Sequence, residues 1–311
     1  MAAQTITRVY NMIHKRFCTL FACIFLLIAS SIYAAEVVEE SNPTPPTPTH
    51  ANWVFSGVVT NESGENYGYF FQMQRNGLQF HSIAALFDGQ SKQVILLDES
   101  QAIIEDHTPN NWRVGRSFLR FNPINNSWIF GLKTEDHKGF NFKVDMLKQT
   151  DSIPVAQDLS PGVLLLVNQT SHLNGHVQAG NDSKEQFVTA KNAWFRQVSV
   201  TAQQDKNHPF TGVLCRFNDG SGFYSVNLNE TDALRGAVAG WFDEQGISAR
   251  MSQFINVKQD PKEGPWHIRV ASPHLHLVLS DYIKQNSVVA GFVADEKAPG
   301  FCMLSKDTLG G

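Results

Sequence analysis

Trp53 to Asp88, WVFSGVVTNESGENYGYFFQMQRNGLQFHSIAALFD, holds three runs rich in aromatic and β-branched residues, separated by turn signals. The runs are Trp53 to Thr60, Tyr67 to Arg75 and Leu78 to Phe87; Asn61-Glu-Ser-Gly64 and Asn76-Gly77 lie between them and Asp88-Gly89 follows. Apolar and polar residues alternate within the runs, which is the period of a strand and not of a helix. Asn-Gly and Asp-Gly supply the positive backbone angles of tight hairpins, so the stretch predicts an antiparallel meander.

The pattern continues outward. Strands are expected at Gln93 to Leu97, Ala102 to Glu105, Trp112 to Phe121, Trp128 to Leu132 and Phe140 to Leu147, and after Ser160-Pro161-Gly162 at Val163 to Val167, Leu173 to Gln178 and Phe187 to Thr201. A further series comprises Phe210 to Phe217, Phe223 to Leu228, Ala237 to Phe242, Ile247 to Val257, His267 to Ala271, Leu275 to Leu279 and Val288 to Val293. No stretch carries an apolar stripe at helical spacing over three turns. Sequential strands with tight turns close into barrels or pack as sandwiches, because closure removes exposed edges. The fold class read from this pattern is all-β, and about sixteen strands suit two tandem barrels of roughly eight to ten strands each.

Ahead of the strands, Lys15 and Arg16 precede an uncharged run from Phe17 to Ala34 that ends in small residues. A basic end followed by an apolar block is the export pattern, and the block is short for a membrane span of ~20 residues. Residues 1–34 are therefore expected to be a cleaved signal peptide, with the mature protein periplasmic or secreted and without a stable membrane span. Residues 35–50, which include EESNPTPPTPTH, form an extended Pro/Thr-rich spacer. The expected divisions that follow are an N-terminal domain over 51–198 and a C-terminal domain over 199–311.

Hydrophobic residues make up 42% of the chain, charged residues 17%, and the net charge is −4. A weakly acidic chain offers no electrostatic footprint for nucleic acid. Of the four cysteines, Cys18 and Cys23 lie in the expected signal, leaving Cys215 and Cys302, which form either one bridge or two buried thiols. Metal-binding CxxC spacings, a phosphate-cradling GxxxxGK and a GxSxG nucleophile elbow do not occur in the sequence. No cofactor or metal is called for.

Several segments, taken in order, resemble the AttH and carotenoid 1,2-hydratase-like proteins: Trp53-Val-Phe-Ser-Gly57, Gly68-Tyr-Phe-Phe71, Ala85-Leu-Phe-Asp88, Val188-Thr-Ala-Lys-Asn-Ala-Trp194-Phe195, Phe217-Asn-Asp-Gly220, Gly240-Trp-Phe-Asp-Glu-Gln-Gly246 and the run from Trp266 to Leu277. The resemblance implies a tandem pair of lipocalin-like β-barrels and a long apolar ligand. It also implies acids at two positions where this chain has none. One falls in Ala51-Asn52-Trp53-Val54, and the other in Arg196-Gln197-Val198 after Trp194-Phe195. Adding water to an isolated alkene needs a proton donor and a positioned base. The chain is therefore expected to bind an apolar, lipid- or isoprenoid-like molecule without turning it over. The alternatives are an enzyme of the carotenoid hydratase-like type, acting by acid-catalysed water addition or cyclisation, and a structural protein whose barrels are filled with side chains.

Candidate site residues follow from this reading. Asp88 and Asp243 are the remaining catalytic candidates, though an Asp in such a sequence is also a turn residue. Trp53, Tyr69, Phe71, Trp194 and Trp241 are candidates to wall a ligand pocket, with core as their other role. Arg196 is the candidate to hold an anionic head group beside Trp194 and Trp53, with Arg75 and Arg116 as further cations. His274 and His276 share a strand face by spacing, as His172 and His176 do, without a third ligand to complete a metal site.

Overall fold

The computed structural model describes residues 47–105, 108–146, 157–170, 172–179, 184–201, 206–229, 237–245, 247–249, 251–253, 255–294 and 299–310. The expected signal peptide and most of the spacer lie outside these residues. Every element among the described residues is a strand.

The first thirteen are β1 (His50–Asn61), β2 (Asn66–Asn76), β3 (Gln79–Asp88), β4 (Val94–Ile103), β5 (Asn111–Val114), β6 (Ser117–Asn122), β7 (Ser127–Lys133), β8 (Gly139–Asp145), β9 (Gln157–Ser160), β10 (Val163–Thr170), β11 (His172–Gln178), β12 (Gln186–Ala190) and β13 (Ala193–Val200). They form one antiparallel sheet in the order β4-β3-β2-β1-β12-β11-β8-β7-β6-β5, with β13, β10 and β9 extending from β1. The two ends of that path approach each other: Arg116, in the β5–β6 turn, reaches Asp98 of β4 at 3.6 Å. Inside this barrel Trp53, Phe55, Tyr69, Phe71, Phe130, Phe142 and Phe195 pack into one buried cluster. Phe55 stacks on Phe130 at 4.1 Å between centroids, and Tyr69 meets Phe142 edge-on at 4.9 Å. Stacked and edge-on rings of this kind add to the burial itself. The first barrel is filled by its own side chains.

The remaining strands are β14 (His208–Phe217), β15 (Gly222–Leu228), β16 (Ala237–Phe242), β17 (Ser248–Ala249), β18 (Ile255–Gln259), β19 (Trp266–Val270), β20 (Leu275–Leu279), β21 (Asp281–Gln285), β22 (Val288–Phe292) and β23 (Gly300–Leu309). Seven make a sheet in the order β17-β16-β15-β14-β23-β22-β21, and β18-β19-β20 make a three-stranded sheet facing it. Val213, Phe223, Ile268, Leu277, Leu279, Val289 and Leu304 are buried between the two. The molecule is thus all-β, two lipocalin-like antiparallel barrels in tandem.

The barrels join back to back. Val54, Phe70, Ile83, Ala85 and Phe87 leave the outer face of β1–β3 and pack on Phe210, Leu214, Val226, Phe292, Phe301 and Met303 from the second sheet. Gly68 makes room for this, since a Cβ there would stand 2.6 Å from the Phe301 ring and 2.9 Å from that of Phe292.

Several strands differ from the sequence reading. Trp112 to Phe121 is a hairpin, β5–β6, turned at Gly115, whose φ is +58°. Phe187 to Thr201 divides into β12 and β13, and Ile247 to Val257 contributes to two sheets. The largest difference is the C-terminus: Cys302 lies not in a tail but in β23, a central strand paired with both β14 and β22. Phe301 and Met303 face the junction while Cys302 and Leu304 face the barrel interior. With both faces buried, the strand reads Phe-Cys-Met-Leu without alternation.

Cys215 of β14 lies opposite Cys302 in register, Cα to Cα 4.1 Å, and the two are joined by a disulfide 87 residues apart in sequence. Cross-linking a loop of that length removes freedom from the unfolded chain. Replacing both cysteines by Ala should lower unfolding stability in urea by about 2–5 kcal/mol. Peptide mapping of the unreduced protein should recover the cross-linked Cys215–Cys302 pair; free thiols at both positions would contradict it.

Candidate ligand-binding site

The aromatic candidates fall into three separate cores. Trp53, Tyr69 and Phe71 belong to the filled first barrel, Trp194 to the junction and Trp241 to the second barrel. Trp53 and Trp194 therefore point to opposite faces of the sheet and form no common wall. Trp53 Nε1 donates to Gln197 Oε1 at 3.2 Å, and Trp194 Nε1 donates to the Cys215 carbonyl at 2.9 Å. The Tyr69 hydroxyl is buried without a hydrogen-bond partner, and burial holds it protonated, far above the usual tyrosine range.

Arg196 is sealed in the junction, 1% exposed. Its Nη2 donates to Asn52 Oδ1 at 2.9 Å and to Ser305 Oγ at 3.2 Å, and lies 3.7 Å from Asp307 Oδ2. Asp307 Oδ1 accepts from Gln72 Nε2 at 2.8 Å and Ser287 Oγ at 3.2 Å. Gly212 makes the approach possible, because a Cβ at that position would collide with Arg196 Nη1. Burial lowers the Arg196 pKa to about 10, with Asp307 opposing the shift. The guanidinium is thus an internal partner of the last strand, not a receptor for a ligand head group. Asp307→Ala, which strands the Arg196 charge, should cost about 3–5 kcal/mol of stability in urea. Arg196→Met combined with Asp307→Leu should recover most of it; a double variant as unstable as Asp307→Ala would show the pair is not the cause.

Asp88 and Asp243 are turn residues. Asp88 Oδ1 accepts the backbone N–H groups of Gln90 and Ser91 at 3.0 and 2.5 Å, and these bonds, led by that from Ser91, hold its carboxyl below the usual range. A carboxylate stabilised as the anion is a poor proton donor. Asp243 Oδ1 accepts from the backbone N–H groups of Gln245 and Ile247 at 3.0 and 2.8 Å. Arg75 donates to the Gly77 carbonyl at 2.9 Å, and Arg116 sits on the surface seam. His276 meets His267 on the neighbouring strand, Nε2 to Nδ1 2.9 Å, and not His274; His267 also contacts Asp260 at 3.1 Å. His176 lies edge-on to Phe187. Among the described residues no group of three His, Cys, Asp or Glu side chains is placed to hold a metal.

The second barrel carries a cavity of about 390 Å3. Its shape follows from the inward-facing residues of three adjacent strands, taken from one end of the barrel to the other. β14 presents Phe217, Cys215, Val213 and Thr211; β15 presents Phe223, Ser225 and Asn227; β23 presents Cys302, Leu304 and Lys306. Towards one end of the barrel, outside the cavity lining, the rings of Phe217 and Phe223 stack at 5.7 and 6.0 Å from the Trp241 indole, in the same buried cluster as the disulfide cysteines. The other end opens between polar side chains, including the exposed Lys284, Asn286 and Lys306. Ile255, Val257 and Trp266 of the three-stranded sheet complete the wall. Lys284, Lys306, Asn227 and Trp266 were not singled out from sequence as binding residues; Trp266 stands in one of the resembling segments, but nothing in residue order alone marks the other three.

The β21–β22 turn at the mouth is tied to the first barrel. Glu99 of β4 accepts from Gln285 Nε2 at 2.6 Å and also bonds Asn286 and, at 2.7 Å, His81 Nε2. Burial pushes the Glu99 carboxyl up, but the bonds from Gln285, His81 and Asn286 outweigh it and hold the group below its ordinary value of 4.5. A depressed carboxylate contributes stability above the unfolded value that is lost as pH falls through the folded one. Glu99→Gln should therefore be less stable than wild type in urea at pH 7, with the difference vanishing as the pH drops below 4.5. A pH-independent difference would show that the charge is not what acts.

The second barrel is thus an antiparallel cup with a mixed apolar and polar lining and charged side chains at its open end. Solved structures share this all-β, lipocalin-like fold. An AttH protein from Nitrosomonas europaea superposes with a TM-score of 0.55 at 11% identity, over 87% of this chain and 96% of that one. Kievitone hydratase from Nectria haematococca superposes with a TM-score of 0.57 at 9% identity, over 87% and 93%. No protein-family model matches the chain, and no curated protein matches it in sequence. At such identities the likeness is one of fold.

Proposed function

We propose that this protein is an exported, non-catalytic binding protein that holds an apolar, lipid- or isoprenoid-like molecule in the second barrel, its anionic end at Lys284 and Lys306. The observation that carries the reading is the cavity of about 390 Å3, walled by Val213, Ile255, Val257, Trp266, Val289 and Leu304 and flanked by Lys284 and Lys306. That volume lies towards the small end of ligand pockets, so the barrel takes a compact ligand or one segment of a longer one. Export is supported by the basic pair and apolar block of residues 15–34, and by a disulfide of the kind oxidising compartments preserve. The mature chain then begins at Ala35 or Glu36, after which the two barrels follow as N- and C-terminal domains. Among the described residues no helix is long and apolar enough to cross a membrane.

The absence of turnover is supported by chemistry. Ala51 cannot donate a proton, Arg196 is committed to Asp307, and Asp88 and Asp243 are held by turn amides. The competing reading, a hydratase acting on an apolar polyene or lipid, draws on the fold shared with kievitone hydratase. Mass spectrometry of organic extracts from purified protein should recover an apolar acid, and calorimetry should show binding of dodecanoate. The double variant Lys284→Ala/Lys306→Ala should weaken dodecanoate by roughly fivefold while sparing dodecan-1-ol. Failure of wild type to bind dodecanoate or dodecan-1-ol would overturn the reading, and water addition to lycopene would replace it with the enzyme.

A further inference from the structure

The outward face of the first barrel, away from the junction, gathers positive charge on a chain whose net charge is −4. Strand alternation sends Trp112, Leu119, Phe130 and Phe142 inside and leaves Arg113, Phe118, Arg120, Ile129, Lys133 and Lys143 on the outside of β5–β8. Register sets these side by side. One row runs Arg113, Phe118, Gly131, Asn141, His176 and Phe187 from β5 to β12, and the next brings Arg120 and Ile129 beside Lys143. Asn111 to Asp145 holds six Lys and Arg against three Asp and Glu, and all three acids are already taken. Asp145 lies 2.8 Å from Lys143, Asp136 3.7 Å from Lys138 and Glu135 3.4 Å from Arg116. Arg113, Arg120 and Lys133 are exposed, and among the described residues no acid stands within ion-pair distance of them. Between the cations Phe118 and Ile129 are half-buried, and Phe187 at the end of its row is 42% exposed. A hollow of about 300 Å3 beside them is rimmed by Arg113, Arg116, Lys133 and His137, with Glu185 the one acid in its lining among the described residues.

We propose that this face docks on a membrane surface of anionic phospholipid. Cations with no acid of their own are drawn to lipid phosphates, and the apolar side chains standing between them enter the boundary between head groups and acyl chains, which a soluble acidic partner does not offer. The hollow takes a single head group among its cations. The second barrel leaves the face uncovered, because it packs on the outer face of β1–β3 instead. Docking of this kind is peripheral: it needs no spanning segment, and salt screens it as the Debye length shrinks from about 10 Å at 0.1 M to about 3 Å at 1 M. The inference stands on the face alone and is independent of what the cavity holds.

Sedimentation with lipid vesicles tests it. The wild type at low salt should pellet with vesicles of phosphatidylglycerol and phosphatidylcholine in equal parts and stay in solution with phosphatidylcholine alone, and its binding should fall at least about tenfold between roughly 0.05 and 0.5 M NaCl. The triple variant Arg113→Gln/Arg120→Gln/Lys133→Gln removes three charges that hold nothing in the fold, and should bind on the order of a hundredfold more weakly with thermal unfolding unchanged. Lys258→Gln/Lys262→Gln/Arg269→Gln, an equal loss of exposed charge on and beside the three-stranded sheet, should bind as the wild type does. Phe187→Ala keeps every charge and should weaken binding about fivefold. No pelleting with the anionic vesicles, or equal losses in the two triple variants, would overturn the proposal. Binding untouched by Phe187→Ala would assign the face to an acidic protein and overturn it as well.

Discussion

Burial of β1, β2 and β3 on both faces is the constraint on which the architecture depends. One face closes the first barrel around Trp53, Phe55, Tyr69 and Phe71; the other, through Val54, Phe70 and Phe87, is the floor on which the second sheet rests. Polar groups in that position are costly unless paired, and on the outer face Asn52 and Gln72 reach Arg196 and Asp307, while the hydroxyls of Tyr69 and Ser82 stay without a partner. The ion pair is therefore a register mark as well as a contact. A shift of one residue in β13 or β23 would turn Arg196 or Asp307 into an apolar core, at a cost on the order of several kcal/mol.

The two barrels differ in how their interiors are filled. The first is solid, its rings packed centroid to centroid, and gives up any interior space in exchange for rigidity. The second keeps its interior partly open, and its inward side chains grade from aromatic to aliphatic to polar along the barrel. In the proposed binding function, such a gradient would orient an amphipathic occupant. Attachment of the β21–β22 turn to Glu99 makes the solid barrel a support for the mouth of the open one.

Much of this was legible in residue order. The meander over β1–β3 was visible because Asn76-Gly77 and its counterparts mark turns that few other sequences make. The β5–β6 hairpin was not, because Gly115-Arg116 between Val114 and Ser117 carries no such mark. β23 escaped because its first half is buried on both sides, and period two vanishes when neither face meets water. The site was less legible still. Alternation says which residues share a face, but not which of three cores the face belongs to; Trp53 and Trp194 look equivalent in sequence and point apart in space. Arg113, Arg120 and Lys133 become one set only when β5, β6 and β7 lie in register, which is a property of the assembled barrel.

The position of β23 has a bearing on how the molecule comes into being. Its partner β14 lies some ninety residues upstream, and Gln72 is 235 residues from the Asp307 it bonds. A growing chain thus lacks the centre of its second sheet, the acid that neutralises Arg196 and part of the cover over the outer face of β1–β3 until β23 has left the ribosome. Contacts of such separation form late, since the loops they close must first be ordered. The second sheet consequently cannot close around its centre until β23 is available, however early β14 is made.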